Sequence, residues 1–461
     1  MNKLTTEIAI LGGGPAGYVA AIRAAQLGVD VVLIEEKALG GVCMNEGCIP
    51  TKALLTTARM ISNIDSSKEH GVTGELKNID WETAIARKDR AVRNLRQGLE
   101  QLLRARNVTI VAGRGRVISP HEIMAETTEG EISINCRKMI LATGSSSKIL
   151  SIPGADLAGI LTSSDALGLT ILPTSLVIIG AGVIGLEFAT IFSDAGVKVT
   201  LIEIENRLLL DEDEDAGSEL LKILKRQGIT FRLGAEIQKI GRNEDVMTVH
   251  YRSGDQERSV TAQKVLIAAG RKLNSDIFAA LPLAIEHEAI VVNEYMETNI
   301  PGVYAAGDVI GGKLLAHLAF AEGKTAAENA AGFRRSLDYK AVPTCIYTRP
   351  EYATVGLTEA EAAKNGMNPR TGMFYFRNNG RALTLGEREG YVKVVADESN
   401  TIIGAQILGP EASEMISGMT LAITLGAKAD VLADMIYPHP TLSETLWEAC
   451  AIIAGRPIHH I

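Results

Sequence analysis

Thr6-Glu7-Ile8-Ala9-Ile10-Leu11-Gly12-Gly13-Gly14-Pro15-Ala16-Gly17 is a short apolar run that ends in a cluster of glycines. A helical pattern follows over Tyr18–Leu27, and a second apolar run, Val31–Ile34, closes on Glu35. The arrangement returns further along. Leu176–Ile179 runs into Gly180-Ala181-Gly182-Val183-Ile184-Gly185, a helix is predicted over Leu186–Ala195, and a strand over Lys198–Ile202 leads to Glu203. In both copies the acid lies 23 positions after the first glycine (35 − 12 and 203 − 180).

The spacing has a chemical reason. Gly12 and Gly180 permit the tight strand-to-helix turn, Gly14 and Gly182 let backbone approach a pyrophosphate, and Gly17 and Gly185 let helix pack on strand. The phosphate charge then sits at a helix N-terminus, and Glu35 and Glu203 accept hydrogen bonds from an adenosine ribose. One such turn is commonly no more than a glycine-rich loop. Two complete strand–turn–helix–strand–acid units predict two bound dinucleotides. Glu203 suits a free 2′-hydroxyl and repels a 2′-phosphate, so the second unit is read as binding NAD, with Arg207 the one neighbour that argues for NADP. The acidic run Asp211–Asp215 is expected at the surface, capping or preceding a helix.

Two further runs, Met139–Gly144 and Val265–Gly270, read as strands closing these units, and a third signal follows at Thr298–Asp308. The second unit is therefore an insertion in the first. The expected division is 1–149 and 273–340 for the first dinucleotide domain, 150–272 for the second, and 341–461 for a different domain. From Pro343 on, β-rich runs (Tyr391–Ala396, Ile402–Leu408) alternate with amphipathic helices (Glu411–Gly426, Lys428–Met435), which predicts an α+β domain covering its sheet on one face. The fold class is α/β, two Rossmann-like domains plus this α+β domain.

With 461 residues, several domains are expected. A formal charge of −9, with no basic block, argues against nucleic acid. No apolar run approaches the ~20 residues of a membrane helix, and no secretory signal pattern opens the chain; a cytoplasmic protein is expected. Five cysteines are too few for a disulfide scaffold. Cys136, Cys345 and Cys450 stand alone and are read as buried thiols.

Cys43 and Cys48 are different. They lie in Gly40-Gly41-Val42-Cys43-Met44-Asn45-Glu46-Gly47-Cys48-Ile49-Pro50-Thr51-Lys52, just before a helical pattern. In a regular helix their Cα atoms would be about 8.6 Å apart, and a disulfide needs roughly 4.4–6.8 Å. The segment must be distorted, and Gly47 and Pro50 supply the means. A thiolate at a helix N-terminus is stabilised by the oriented N–H groups. No second Cys/His pair has ligand spacing, so no metal is expected. Near the C-terminus, Tyr437-Pro438-His439-Pro440-Thr441-Leu442-Ser443-Glu444 offers a base: a dithiol is mostly neutral at pH 7 and needs one. His439, polarised by Glu444, suits that role. His459 and His460 are expected to be disordered or exposed.

Together, Cys43–Pro50, both glycine fingerprints, Thr298–Asp308 and His439–Glu444 resemble the pyridine-nucleotide disulfide oxidoreductases, and the resemblance runs nearly end to end. Leu315-Ala316-His317, Pro343–Glu351 and Leu408–Glu414 are most similar to the dihydrolipoamide dehydrogenase branch. The resemblance implies FAD and NAD as cofactors and oxidation of a protein-bound dihydrolipoamide. Cys43 is then the exchange thiol and Cys48 the thiol beside the flavin. Lys52 and Glu187 form a pair at the flavin ring, and Asp308 binds the ribityl chain. Thr143, Gly144, Gly270 and Ala316 are further expected cofactor contacts. His439 and Glu444 act on the other subunit's site, so a homodimer is implied. A lipoyl-bearing protein of a 2-oxoacid dehydrogenase, acetoin or glycine-cleavage complex is the implied partner. The sequence departs from the branch at Val42, Glu46, Thr51 and Tyr437, the last where a second histidine is common. Competing readings are a glutathione-type or other small-disulfide reductase, which Glu203 disfavours because such enzymes usually take NADPH, a mercuric reductase, disfavoured because the tail carries no thiol pair, and a mainly structural subunit of a larger complex.

Overall fold

The computed structural model describes residues 2–460. The opening run forms β1 (Asn2–Leu11), α1 (Pro15–Gln26) and β2 (Val31–Glu35). Ile8 and Ile10 of β1 enter a core with α1, while Ala9 and Leu11 enter a second core on the opposite face. A strand buried on both faces reads as a continuous apolar run, which is why no alternation is visible there. Next come α2 (Gly41–Glu46), α3 (Cys48–Ser66), α4 (Trp81–Ala105), β3 (Thr109–Ala112), β4 (Arg114–Ser119), β5 (Glu122–Thr127) and β6 (Gly130–Leu141). Strands β3, β2, β1 and β6 run parallel in that order, and β4, β5 and β6 form an antiparallel meander on one side.

After β7 (Ser145–Ser147) the second unit begins, with β8 (Ile160–Leu161), α5 (Ser163–Leu167), β9 (Ser175–Ile179), α6 (Val183–Asp194), β10 (Lys198–Ile202), α7 (Glu214–Arg226) and β11 (Thr230–Arg232). A meander follows, β12 (Ala235–Asn243), β13 (Val246–Ser253) and β14 (Gln256–Ala262), before β15 (Lys264–Ile267). Its parallel sheet has the order β11-β10-β9-β15-β8. The chain then returns: β16 (Arg271–Leu273) pairs with β7, β17 (Ile285–Glu286) with β18 (Ala289–Ile290), and β19 (Val303–Ala305) joins β6 in parallel. The second unit thus interrupts the first, as its glycine signals require. Helix α8 (Ala316–Ala330) completes the first unit and shares a core with α1.

The last part contains β20 (Thr344–Ile346), β21 (Glu351–Gly356), α9 (Glu359–Lys364), β22 (Arg370–Tyr375), α10 (Gly380–Leu385), β23 (Tyr391–Ala396), β24 (Ile402–Gly409), α11 (Ala412–Leu425), α12 (Ala429–Asp434) and α13 (Glu444–Ile453). Its antiparallel sheet, β20-β21-β24-β23-β22, is covered on both faces, not on one as expected. Ala353, Val392, Val394 and Ile407 meet α11 and α13. The alternate residues Tyr352, Tyr391 and Leu408 enter a core with Phe188 and Leu220 of the second unit.

The acidic run leads into α7 with Asp211, Glu214 and Asp215 exposed, as expected, but the docking covers Glu212 and Asp213. Asp213 is buried, and its carboxylate meets Lys393 Nζ at 2.8 Å and Gln406 Nε2 at 3.2 Å. Glu212 accepts from the Tyr352 hydroxyl at 2.8 Å. A buried lysine on the sheet face needs a counter-charge, and this acidic run supplies it. Among the described residues no helix is long and apolar enough to cross a membrane.

Candidate active site

The two glycine turns have matching geometry. Gly12 has φ +104° and Gly180 φ +105°, a region where side chains are disfavoured. A Cβ on Gly12 would lie 2.3 Å from the Ala142 carbonyl oxygen, and one on Gly17 would lie 1.7 Å from that of Gly12. The equivalent clashes at Gly180 and Gly185 are 2.5 Å and 1.9 Å. The middle glycines are open: the nearest atom to a Cβ on Gly14 is 3.8 Å away, and at Gly182 nothing lies within 4 Å. The outer glycines serve packing, and the middle ones leave a cradle at the N-termini of α1 and α6 that fits a pyrophosphate.

Both acids stand over these turns. Glu35 accepts from the backbone N–H of Gly13 at 2.7 Å and of Lys37 at 2.8 Å. Glu203 does the same with Ala181 at 2.6 Å and Glu205 at 3.1 Å. A carboxylate has about four acceptor positions, so each retains capacity for ribose hydroxyls. Arg207 is committed elsewhere, donating to the carbonyls of Glu212 at 3.0 Å and of Leu210.

Thr143 and Gly144 follow β6 and are tied to Asn274, which donates its side-chain amide to Thr143 O at 2.9 Å and its N–H to Gly144 O at 3.0 Å. Asp308 begins the turn after β19, where it accepts from the Ser145 hydroxyl. Arg271 donates to Ser145 Oγ at 2.6 Å and lies 3.8 Å from Asp308. Gly270 forms the turn between β15 and β16 with φ +108°, and Ala316 is the first residue of α8. The sequence reading missed Ser145, Arg271 and Asn274, because what marks them is contact with distant segments.

At Gly47 the helix breaks (φ −144°, ψ −110°), so Cys43 ends up on α2 and Cys48 opens α3. A Cβ at Gly47 would stand 3.1 Å from the Val42 carbonyl oxygen. Pro50 falls in the first turn of α3, where its missing N–H is not needed. With the helix broken, the two thiols share a side-chain hydrogen bond. That bond lowers Cys48 to about 7 and Lys52 adds to the effect, against burial and Glu187. Cys43 is pushed far up by the same bond and by burial. Between the cysteines, Asn45 donates to Leu39 O and Gly41 O, leaving its buried Oδ1 with no donor among the described residues. An orphaned acceptor here fits a further group bound beside the cysteines. Burial pushes Cys136 and Cys345 up to about 11 and Cys450 up to about 12.

One turn into α3, Lys52 bonds both oxygens of Glu187 on α6, at 2.8 and 2.9 Å. Glu187 is buried and also accepts from Tyr347 N at 3.2 Å, while Lys52 Nζ lies 4.4 Å over the Tyr347 ring. Three parts of the chain therefore meet beside Cys48. Tyr18, half-buried on α1, lies within electrostatic reach of Cys43. Tyr18 carried no signal in the sequence, and Tyr347 only its place in the Pro343–Glu351 segment of the resemblance.

His439 Nδ1 pairs with Glu444 Oε1 at 2.9 Å, and Glu444 Oε2 accepts from Thr441 N at 2.8 Å. The carboxylate, against some burial, is held below its usual range by these bonds. The imidazole itself is 80% exposed, so its other nitrogen faces outward from this chain. His459, expected to be disordered or exposed, is 62% exposed and ordered by its pairing with the buried Glu448 at 2.7 Å.

The pyridine nucleotide-disulphide oxidoreductase family matches residues 6–323, and that family's dimerisation domain matches residues 342–450. The dihydrolipoyl dehydrogenase of Bacillus subtilis (strain 168) is 39% identical over 470 residues, covering 98% of this chain and 99% of that one. Among solved structures, LpdA from Mycobacterium tuberculosis superposes with a TM-score of 0.91 at 27% identity, covering 97% of this chain and 99% of that one. The Cu(II) complex of the HOCl-induced flavoprotein disulfide reductase RclA from Escherichia coli gives 0.88 at 29%, covering 98% and 100%. With both matches spanning nearly the whole chain and a thiol pair at its centre, this protein belongs to the pyridine nucleotide-disulphide oxidoreductases.

Proposed function

We propose that the chain is a dihydrolipoyl dehydrogenase, oxidising protein-bound dihydrolipoamide to lipoamide with NAD+ through a Cys43–Cys48 disulfide and FAD. The observation that carries this is the broken helix at Gly47, which brings two cysteines five positions apart into hydrogen-bonding contact with the lower-pKa thiol at Cys48. The near full-length identity to a dihydrolipoyl dehydrogenase supports the choice of substrate.

FAD is assigned to Gly12, Gly14, Gly17, Glu35, Thr143, Gly144, Asp308 and Ala316, and NAD to Gly180, Gly182, Gly185, Glu203 and Gly270. The corresponding domains are 1–149 with 273–340, 150–272, and 341–461 for dimerisation. Arg207, held on two carbonyls, leaves Glu203 to set the preference for NAD.

In the half-reaction with dithiol, His439 of one protomer removes a proton from a substrate thiol at the cysteine pair of its partner, and Glu444 stabilises the resulting imidazolium. The substrate thiolate attacks Cys43 Sγ, the S–S bond breaks, and Cys48 leaves as the thiolate, favoured by its lower pKa. The second substrate thiol then displaces Cys43 Sγ, releasing cyclic lipoamide and leaving the cysteine pair reduced by two electrons. Bound FAD supplies the two-electron relay from this dithiol to NAD+. Lys52, fixed on Glu187, lies at the junction of the two cofactor sites and keeps positive charge beside Cys48. A cytoplasmic location goes with this reading, and so does a lipoyl-bearing partner from a 2-oxoacid dehydrogenase, acetoin or glycine-cleavage complex.

The test is the visible spectrum of the purified holoprotein before and after one equivalent of dihydrolipoamide. A long-wavelength charge-transfer band is expected to appear. In Cys48→Ser the band and the dihydrolipoamide activity should vanish while FAD stays bound. Loss of FAD instead would make Cys48 a packing residue and end the proposal.

A further inference from the structure

We infer that the C-terminal tail braces the base, with His459 as a positioning residue; this rests on His439 being that base. Glu448 of α13 is 2% exposed, and both its carboxylate oxygens are taken by the tail. Oε1 receives His459 Nδ1 at 2.7 Å and His459 N at 3.2 Å, and Oε2 receives Ile458 N at 3.2 Å. A buried carboxylate is costly without donors, so the tail docks here where most termini fray. Arg456 adds a second anchor on α12, bonding Asp434 at 2.8 Å and the Asp430 carbonyl at 3.3 Å.

From this anchor a stack of rings leads toward the base. The His459 imidazole stands edge-on to Trp447, with centroids 5.8 Å apart and planes at 71°. The Trp447 ring in turn lies 6.4 Å from that of Tyr437, and its Nε1 donates to Ala433 O at 2.9 Å. Tyr437 stands two residues before His439, whose side chain is tied to Glu444 and to no other side chain among the described residues. The aim of His439 therefore depends on how the 437–441 backbone is held. That backbone is fixed by Thr441 Oγ1 on Pro438 O at 2.9 Å, by Asn379 Nδ2 on Thr441 O at 3.0 Å, and by the Tyr437–Trp447 contact. Without His459, Trp447 loses the ring on one side and Glu448 loses its side-chain donor. Tyr437 and then His439 are free to shift.

Steady-state oxidation of dihydrolipoamide by NAD+ in the holoenzyme tests this. His459→Ala is expected to lower kcat about tenfold, a fraction of what a positioned base contributes, with KM for NAD+ unchanged. His459→Gln, whose amide still donates to Glu448 and is thereby held against Trp447 in place of the imidazole, should recover most of that loss. Trp447→Leu removes the ring contact but leaves the Glu448 bond, and should lower kcat as His459→Ala does; should His459→Ala fail to yield holoprotein, Trp447→Leu decides. Wild-type kcat in His459→Ala or Trp447→Leu overturns the brace, as does a His459→Gln variant no better than His459→Ala. His439→Gln, assayed alongside, separates the two claims. If it keeps dihydrolipoamide turnover, the base assignment is wrong; if it loses turnover while His459→Ala is normal, only the brace is.

Discussion

Cys48 differs from the other four cysteines in what faces it. Cys136, Cys345 and Cys450 are pushed up chiefly by burial, Cys345 with Glu351 adding to it. Cys48 takes a hydrogen bond from Cys43 and feels the Lys52 charge, and is lowered from 9.0 to about 7. In the dithiol-reduced protein the Cys48 thiolate is present above about pH 7 and is lost as pH falls through that value. The charge-transfer band of the reduced enzyme, titrated under anaerobic conditions, should therefore fade on acidification with a midpoint near 7. Lys52→Met removes the nearby cation and leaves the buried Glu187 carboxylate unpaired, and both changes raise the thiol. The midpoint is expected to move up by roughly one pH unit. A midpoint that stays in place in Lys52→Met would mean that Lys52 does not act on Cys48.

Elements joined across long sequence separations carry the features that sequence patterns missed. The turns after β1 and β9 were legible because their constraint is local: a glycine is required wherever a Cβ would strike the backbone five residues back or the neighbouring strand end. The break between α2 and α3 was legible because disulfide geometry forbids a regular helix there. Helix α4 was missed although Asp80 caps it, accepting from Thr83 N at 3.0 Å, and although buried Ala84, Ile85, Lys88, Val92, Leu99 and Leu103 follow a helical period. The covering of Glu212 and Asp213 before α7 was not legible, since their partners lie on β21, β23 and β24. Glu212 meets Tyr352 and is pushed up to about 7, chiefly by burial. A carboxyl raised in the folded state makes the native protein hold the extra proton between its unfolded value of 4.5 and about 7. Its contribution is therefore full below 4.5 and is lost as pH rises through 7. Glu212→Gln, which still accepts from Tyr352, should raise stability above pH 7 by roughly 1–2 kcal/mol and leave it nearly unchanged in acid. Urea denaturation at both ends of the range checks this. A Gln variant that loses stability at high pH would show that the charged form is the one the joint favours.

In the whole molecule the groups proposed for catalysis lie in two separate places. The cysteines lie between the first and second units, while the His439 side chain projects from the last domain and is 80% exposed. On the same domain Leu421, Leu425, Val431 and Ile436 are exposed by 60, 72, 62 and 94%. Apolar residues this open on one domain mark a surface that another chain covers, and the match to a dimerisation domain lies over the same segment. In a two-fold dimer each patch meets its own copy, and under the proposed mechanism each protomer lends its base to the other. That symmetry gives a test that no single variant provides. Cys48→Ser and His439→Gln homodimers should each be inactive toward dihydrolipoamide. When the two are co-expressed, random pairing makes half of the dimers mixed, and each mixed dimer has one site with both an intact cysteine pair and an intact histidine. About a quarter of the wild-type turnover per site should return. If the base served the cysteines of its own chain, every site would carry one defect and nothing would return. Isolating the mixed dimer by two different affinity tags sharpens the comparison, because its turnover should then be about half that of the wild type.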